Sequence, residues 1–504
     1  MAKRWVLIAA ILGSAMTFID GTAVNVALPV IQRELGANAA QMQWVVEGYA
    51  LFLSALILLG GSLGDLYGRK RMFGLGIVIF ALASLGCALA TSVQTVIAAR
   101  CVQGIGGALA MPESLALISA FFTGSERGRA IGTWSGFASI TGAVGPVIGG
   151  WLTQHASWRW VFLLNLPIAL AVLAIAWRGF PESRDEAMPQ RLDVAGAALA
   201  TLGLGAFTYG LIASQGGRPS ALALAALAAG VALLAGFVVV ERRSPAPMMP
   251  LDLFRSRVFS AANLYTLFLY AALGGSLYFL PYVLIDVQHY TPTAAGASLL
   301  PFVLLMFALS RWSGGLMGRI GARIPLVAGA LFAAAGFAAF ALPGIGGSYW
   351  TTYFPAAVIL GIGGTLFVAP LTTIVFDAVD TEKSGVASGV NNAVARTAGL
   401  LAIAGLGIVL AAVFNAGFDR RMARHHVSPQ TARIAHGERA RLYAGTVPND
   451  VPPQDRPAVG EAVREGYLAG FRAVMMASSG VCVVAAFIAL VAIPGKKVAA
   501  KAAA

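Results

Sequence analysis

The chain is poor in charge, in cysteine and in histidine. Of its 504 residues only 11% are charged, whereas 58% are hydrophobic and the mean hydropathy is +0.77. A water-soluble fold of this length cannot cover so much apolar surface, so the composition demands lipid as solvent. The three cysteines, Cys87, Cys101 and Cys482, all lie in apolar runs, which excludes a disulfide framework and a Cys-based metal spacing. The five histidines (His155, His289, His425, His426 and His436) fall between those runs, with no nucleophile or metal constellation around them, so neither cofactor nor metal is expected. No Gly-x-x-x-x-Gly-Lys-Ser/Thr stretch occurs, which argues against ATP as fuel. The formal charge of +13 is spread over many loops, a pattern of membrane topology rather than of a nucleic-acid-binding face.

What the chain does have is apolar runs of spanning length. Fourteen are predicted, near 5–29, 43–64, 73–91, 95–119, 130–152, 160–177, 192–213 and 219–240, then 258–284, 293–318, 324–342, 352–375, 386–414 and 469–493. Each must be a helix, because lipid leaves a backbone no partner but itself. An even count puts both termini on one side, and Lys3, Arg4, Lys496, Lys497 and Lys501 make that side cytoplasmic, at the cell inner (plasma) membrane. Only Arg33, Arg159 and Arg218 fall on the short loops of the other side. The run after Lys3-Arg4 is too long for a signal peptide and carries Asp20, so it is read as a retained helix. Residues 415–468 are basic (Arg420, Arg421, Arg424, His425, His426) yet fall outside by parity, which a segment near that length tolerates. Pro448, Pro452, Pro453 and Pro457 predict a partly irregular external cap there.

The organising stretch is Gly61-Ser62-Leu63-Gly64-Asp65-Leu66-Tyr67-Gly68-Arg69-Lys70-Arg71-Met72-Phe73, the short link between the second and third spans. So brief a link forces antiparallel neighbours, and Gly61, Gly64 and Gly68 permit close approach and a sharp turn. Asp65 sits at a helix C-terminus, where the macrodipole disfavours an anion, so it needs Arg69 or the N-terminus of another helix. A decayed copy, Gly314-Gly315-Leu316-Met317-Gly318-Arg319-Ile320-Gly321-Ala322-Arg323, has Gly318 where Asp65 stood. Ser125-Glu126-Arg127-Gly128 is echoed by Thr381-Glu382-Lys383-Ser384 at nearly the same offset. Two echoes imply a six-helix bundle over 1–177, a linker with two extra spans over 178–257, and a second six-helix bundle over 258–504 that includes the loop 415–468.

Gly61-x-Leu63-Gly64-Asp65-x-x-Gly68-Arg69-Lys70 resembles the loop signature of the major facilitator superfamily of secondary transporters. Asp20-Gly21-Thr22-Ala23-Val24-Asn25-Val26-Ala27-Leu28-Pro29 resembles the first-helix signature of that superfamily's fourteen-spanner drug:proton antiporters. Arg100-x-x-Gln103-Gly104-x-Gly106 is similar to its fourth-helix signature, and Gly145-Pro146-x-x-Gly149-Gly150 to one found in its antiporters. Trp158-Arg159-Trp160-x-Phe162-x-x-Asn165-x-Pro167 also looks like the fourteen-spanner branch, as does a polar cluster of Asn391, Asn392 and Arg396 near the inner end of the penultimate span.

The resemblance implies an all-α integral membrane fold of two six-helix bundles that export small molecules by alternating access, coupled to protons. It places Thr17, Asp20, Asn25, Gln103 and Glu113 along the substrate cavity. An intramembrane carboxylate costs about 3 kcal/mol unless paired, solvated or protonated, which makes Asp20 a functional candidate. Arg100 lies at a similar depth, so the expectation is a proton-responsive Asp20–Arg100 pair; the alternative is an arginine snorkelling to the outer interface. Glu113, after Pro112, is a third proton or substrate candidate, while Glu47, about one turn inside the second span, suits an interfacial role. Asp65, Gly61, Gly68, Arg69 and Lys70 form the expected gating loop, with Asp65 latching the inner side in the outward-facing state, held by a helix N-terminus of the second half near Ser384. The small residues Gly145, Gly149 and Gly150 should let the fifth helix pack against the other half, with Pro146 bending it. Trp158 and Trp160 suit an interfacial belt, and Asp286 and His289 a solvated outer end. Three acids without an intramembrane Lys in the first half favour lipophilic cationic or neutral cargo. Within transport the rivals are a narrow exporter of a metabolite, lipid or siderophore, and a uniporter. Outside transport they are a membrane enzyme and a sensor. No protein partner is implied.

Overall fold

In the computed structural model the described residues are 2–184, 192–215, 219–245, 247–379, 384–425, 427–437, 447 and 450–495. Thr381-Glu382-Lys383, Arg218, His426, Pro448 and the lysines at 496, 497 and 501, all used above, lie outside them. The first bundle holds α1 (Ala2–Leu35), α2 (Ala39–Tyr67), α3 (Arg69–Leu89), α4 (Val93–Phe121), α5 (Gly124–His155), α6 (Arg159–Leu163) and α7 (Asn165–Gly179). Two further helices follow, α8 (Val194–Ala213) and α9 (Ala221–Arg243). The remainder comprises α10 (Arg257–Tyr282), α11 (Pro292–Ala297), α12 (Leu300–Ile320), α13 (Arg323–Phe340), α14 (Tyr353–Asp377), α15 (Ser384–Arg424), α16 (Pro429–Gly437) and α17 (Arg456–Ala492). No strand occurs among the described residues.

Thirteen described segments are long and apolar enough to cross a membrane. The 32-residue α5 covers the fifth predicted span. Two spans predicted as continuous are interrupted: the sixth between α6 and α7, and the tenth between α11 and α12, where Pro301 opens the second piece. Helix starts follow capping chemistry. Asn38 and Gln41 exchange side-chain-to-backbone hydrogen bonds of 2.9 Å at the start of α2, while Ser92, Asp193, Ser220 and Ser256 cap α4, α8, α9 and α10.

α4 packs on both α2 and α3, and α1 on α4, α5 and α7. In the other half α13 packs on α14 and α17, and α10 on α15 and α17. α8 and α9 pair with each other, and α8 touches α2 and α15. Glycine sets the closest approach: a Cβ added at Gly104 of α4 would lie 2.5 Å from the Tyr49 carbonyl oxygen of α2. The fifth helix divides its small residues between two neighbours. Gly145 and Gly149 abut Thr22 and Ala23 of α1, within its own bundle, and only Gly150 and Pro146 meet Pro292 and Gly296 of α11. α5 thus meets the other half through α11 and, less extensively, through α12. At Gly132, Gly136 and Gly142, nearer the terminal end, an added Cβ would meet only open space.

Among its described residues the predicted cap is helical over 415–424, 429–437 and 456–468 and irregular over 450–455, where Pro452 and Pro453 lie. α15 runs on for 41 residues and α17 for 37, so both project beyond the bundle, with α16 between them. Phe414, Phe418, Met422, Ala435, Val451, Val459, Ala462 and Val463 form a small apolar core of their own. Phe414, Phe418 and Met422 recur at helical spacing, a pattern obscured in the sequence by the Arg and His residues between and after them.

Candidate functional site

Asp20 of α1 and Arg100 of α4 are brought together in the first bundle. Their side chains are 0% and 1% exposed, and Arg100 Nη1 donates to Asp20 Oδ2. The snorkelling alternative for Arg100 is thereby overturned. The other carboxylate oxygen accepts hydrogen bonds from Gln103 Nε2 (2.9 Å) and Asn165 Nδ2 (3.0 Å). Both amides also donate to Ser84 Oγ, at 2.8 and 3.2 Å. Arg100 donates further to Gln103 Oε1 (2.6 Å) and to the Val45 carbonyl (3.0 Å), and its guanidinium lies 4.2 Å from the Tyr49 ring centroid. α4 and α7 thus bond the α1 carboxylate directly, and α2 and α3 hold the bonding groups in place. Such saturation is what a buried ion pair needs, because desolvation otherwise exceeds the Coulombic gain.

Sequence reasoning missed Ser84, Tyr49 and the bonding role of Asn165. Asn165 stood in a recognised motif, but nothing in its spacing pointed at α1. A single Ser or Tyr within an apolar run carries no signal at all.

None of Thr17, Asp20, Asn25, Gln103 and Glu113 borders the three described cavities. Thr17 Oγ1 donates to the Ser14 carbonyl at 2.7 Å, the Asn25 amide reaches only the Gly21 carbonyl at 3.5 Å, and Gln103 is spent on the Asp20 network. Glu113 is buried where α4 crosses α2: a Cβ at Gly64 would collide with its carboxyl, and neither of its oxygens has a hydrogen-bond partner. Glu47 is not interfacial; it is 0% exposed, with both carboxyl oxygens unpartnered.

In the gating loop Asp65 pairs with Arg69, at 2.8 Å to Nε and 2.7 Å to Nη2. Gly68 turns the chain at φ +109°. Glu182, which sequence reasoning overlooked, caps the start of α3 by accepting from the backbone N–H groups of Lys70 (2.8 Å) and Arg71 (3.1 Å). Lys70 Nζ donates to the Phe180 carbonyl at 2.7 Å. Gly61 lies against Pro112 of α4.

The polar cluster of the second half is dispersed. Asn391 Nδ2 donates to Asn263 Oδ1 (3.1 Å) and Thr266 Oγ1 (2.8 Å) on α10, whereas Arg396 points away, its Nη2 lying 2.7 Å from Met111 Sδ of α4. Asn392 is half-buried and takes no part in that bond pair. Two expectations about the end of the bundle remote from the termini are each half met. Trp158 is fully buried and donates to Glu34 Oε2 at 2.7 Å; Trp160 is the exposed one. Asp286 is paired with Arg33 at 2.5 Å across the two halves, while His289 is exposed and lies 3.0 Å from Arg464 Nη1.

Above the Asp20 network, a cavity of about 310 Å³ opens between the halves at that same end. Gln32, Gln43, Tyr278, Tyr282, Asp286 and Arg464 are among its walls.

Residues 10–404 match the family model of the Major Facilitator Superfamily. The chain is 34% identical over 493 residues to the multidrug resistance protein Stp of Mycobacterium tuberculosis, covering 94% of this chain and 89% of that one. It is 32% identical to the tetracenomycin C resistance and export protein of Streptomyces glaucescens, over 96% of this chain and 90% of the relative. Among solved structures, an inward-facing, unoccupied bacterial homolog of the human lysosomal transporter Spinster superposes with a TM-score of 0.66, at 17% identity and 97% coverage of each chain, a likeness of fold. With a saturated intramembrane ion pair inside two bundles of spanning helices, and with relatives this similar over nearly its whole length, the chain belongs to the Major Facilitator Superfamily as a multi-pass membrane transporter.

Proposed function

We propose that this chain is a proton-coupled exporter of lipophilic compounds, of the multidrug efflux type, in which Asp20 takes and gives the proton. The observation that carries the reading is the Asp20 carboxylate held by Arg100, Gln103 and Asn165 with no exposure to water. Protonating Asp20 removes the negative partner of Arg100, so the pair has two arrangements of different charge. An element with two arrangements is what a coupling device requires. The resistance and export proteins of Mycobacterium and Streptomyces support efflux as the direction of transport.

The face carrying Arg33, Asp286 and the projecting α15–α17 cap is assigned to the outside, and both termini to the cytoplasm of a cell whose plasma membrane holds the protein. On this assignment the outer ends of the halves are bridged, beside the Gln43 cavity, by Arg33–Asp286 and by the backbone-close packing of Gly150 on Pro292. The gating loop, with Gly61, Asp65, Gly68, Arg69 and Lys70, then lies on the inner side, toward which Glu113, the single acid of α4, is placed. Residues 1–177 and 258–504 are taken as the two rocking bundles, with 178–257 as the linker. The energetics suffice: one proton descending about 100 mV supplies about 2.3 kcal/mol. That sustains a gradient of more than tenfold, since each 1.4 kcal/mol is a factor of ten. No catalytic chemistry is invoked, and the cargo meets no cofactor.

A drug-susceptibility panel in an efflux-deficient host tests the reading. The intact chain should protect against several lipophilic compounds and Asp20→Asn against none. Protection limited to one compound would favour a narrow metabolite exporter.

A further inference from the structure

One face of α2 is unlike the rest of the bundle. Gln43, Glu47, Leu51, Ser54 and Leu58 recur at helical spacing and look away from α4, toward α8 and α15. Gln43 Oε1 accepts from Gln215 Nε2 at 2.8 Å, and Gln215 Nε2 also reaches the Ala404 carbonyl of α15 at 3.1 Å. One turn beyond Glu47, Leu51 packs with Leu204 of α8 and Leu400 of α15. Glu47 therefore sits at the meeting of three helices, with both carboxyl oxygens buried and unpartnered. Across from this stretch of α2, Thr208 of α8 is also fully buried with an unpartnered hydroxyl.

The neighbouring elements turn no counter-charge to it: the one cation at this level of α15, Arg396, reaches Met111 of α4 instead. α8 has no charged residue between Val194 and Ala213, and α15 has none between Arg396 and Asp419. α9, which packs on α8, has none before Glu241. On α4 the cation is Arg100, turned to Asp20, Gln103 and the Val45 carbonyl, and the thiol of Cys101 lies against Gly48. An ionised carboxylate in such a place would cost several kcal/mol, a cost that a bound proton removes.

The position also lies between two openings. Gln43, about 6 Å along the axis, lines the cavity near Arg33. Ser54, about 10 Å the other way, lines a mostly apolar pocket of about 510 Å³ bounded by α2, α8, α9, α10 and α15.

We propose that Glu47 is a second proton-binding site, distinct from Asp20. It is loaded from water in the Gln43 cavity and shut in by the docking of α8 and α15 on α2. Loading converts the carboxylate and one aqueous proton into the neutral acid, and unloading returns that proton to water when α2 parts from α15. The site makes the linker helix α8 a wall of the coupling machinery. Its use in transport rests on the proton-coupled reading above; its occupancy does not.

Occupancy is read by infrared difference spectroscopy of the full-length protein in lipid across a pH titration. The wild type should show carbonyl bands of buried carboxylic acids, with one component lost in Glu47→Gln and retained in both Asp20→Asn and Glu113→Gln. Glu47→Gln mimics the neutral acid in shape, so it should also assemble normally and move fewer protons per substrate in vesicles. An unchanged set of bands in Glu47→Gln overturns the proposal. Should that variant fail to accumulate, peptide mapping of wild-type protein treated with a lipid-soluble carbodiimide, which attacks protonated buried carboxyls, decides. An adduct at Glu47 that fades as pH rises supports the site, and no adduct at any pH overturns it. A Glu47 band in vesicles that transport nothing would remove the transport reading and leave the site.

Discussion

Arg33, at the end of α1, and Asp286, in the π turn that extends α10, are 253 residues apart in sequence and 2.5 Å apart in space. Each belongs to a different bundle, so the pair must break if the halves separate at that face. Both side chains keep some solvent, at 52% and 27% exposure, which limits the pair to about 1 kcal/mol. Arg33→Ala or Asp286→Asn should shift the closed–open balance at that face by about fivefold toward open. Alkylation of a cysteine placed at Gln43 would report the shift, and exchanging the two charges should restore closure.

The loop after α2 gives a second expectation. At Gly68, φ is +109° and an added Cβ would lie 2.6 Å from the Glu182 carboxyl carbon. Gly68→Ala should cost about 1–3 kcal/mol in thermal stability through backbone strain alone. Pairing it with Glu182→Ala should relieve the collision but not the strain, so the double variant should recover only part of the loss.

Glu182→Gln by itself keeps the side-chain shape but weakens the charge-assisted bonds to the backbone at Lys70 and Arg71. Faster amide exchange in the first turn of α3, with no change in α13, is the expected result.

Asp455 at the foot of α17 gives a pH-dependent expectation. It accepts hydrogen bonds from Thr431 Oγ1 (2.5 Å) and Ser428 Oγ (2.7 Å), which hold its carboxyl below the usual range. A depressed folded value means that the stabilisation is present above the ordinary aspartate value, about 3.9, and disappears as the pH falls through the lower one. Amide exchange in α16 should therefore accelerate on acidification below that range, and Asp455→Asn should abolish the acid-dependent step.

The parts of this molecule legible in its sequence are those written in local patterns. Apolar run length gave the helices, and short glycine-rich links gave their antiparallel neighbours. The Asp20 and Arg100 stretches were visible because a charge in an apolar run is costly enough to stand out. Ser84, Tyr49 and Asn165 were hidden because their role comes from packing between helices distant in sequence. Arg33 and Asp286 each look like an ordinary end-of-helix charge until the two bundles are placed side by side. Glu47 was misplaced for a related reason: its nearness to the start of the span implied water, whereas α8 and α15 cover it. In the cap, charge density masked the periodicity of Phe414, Phe418 and Met422.

The central claim is that the buried Asp20–Arg100 pair turns proton descent into cargo movement. Its most direct measurement uses proteoliposomes of the purified chain, an imposed pH gradient, and a fluorescent lipophilic cation as probe. Wild-type vesicles should accumulate the probe only while the gradient lasts, and Asp20→Asn vesicles should show none of the gradient-driven component. Equal gradient-driven accumulation by the two proteins would contradict the account.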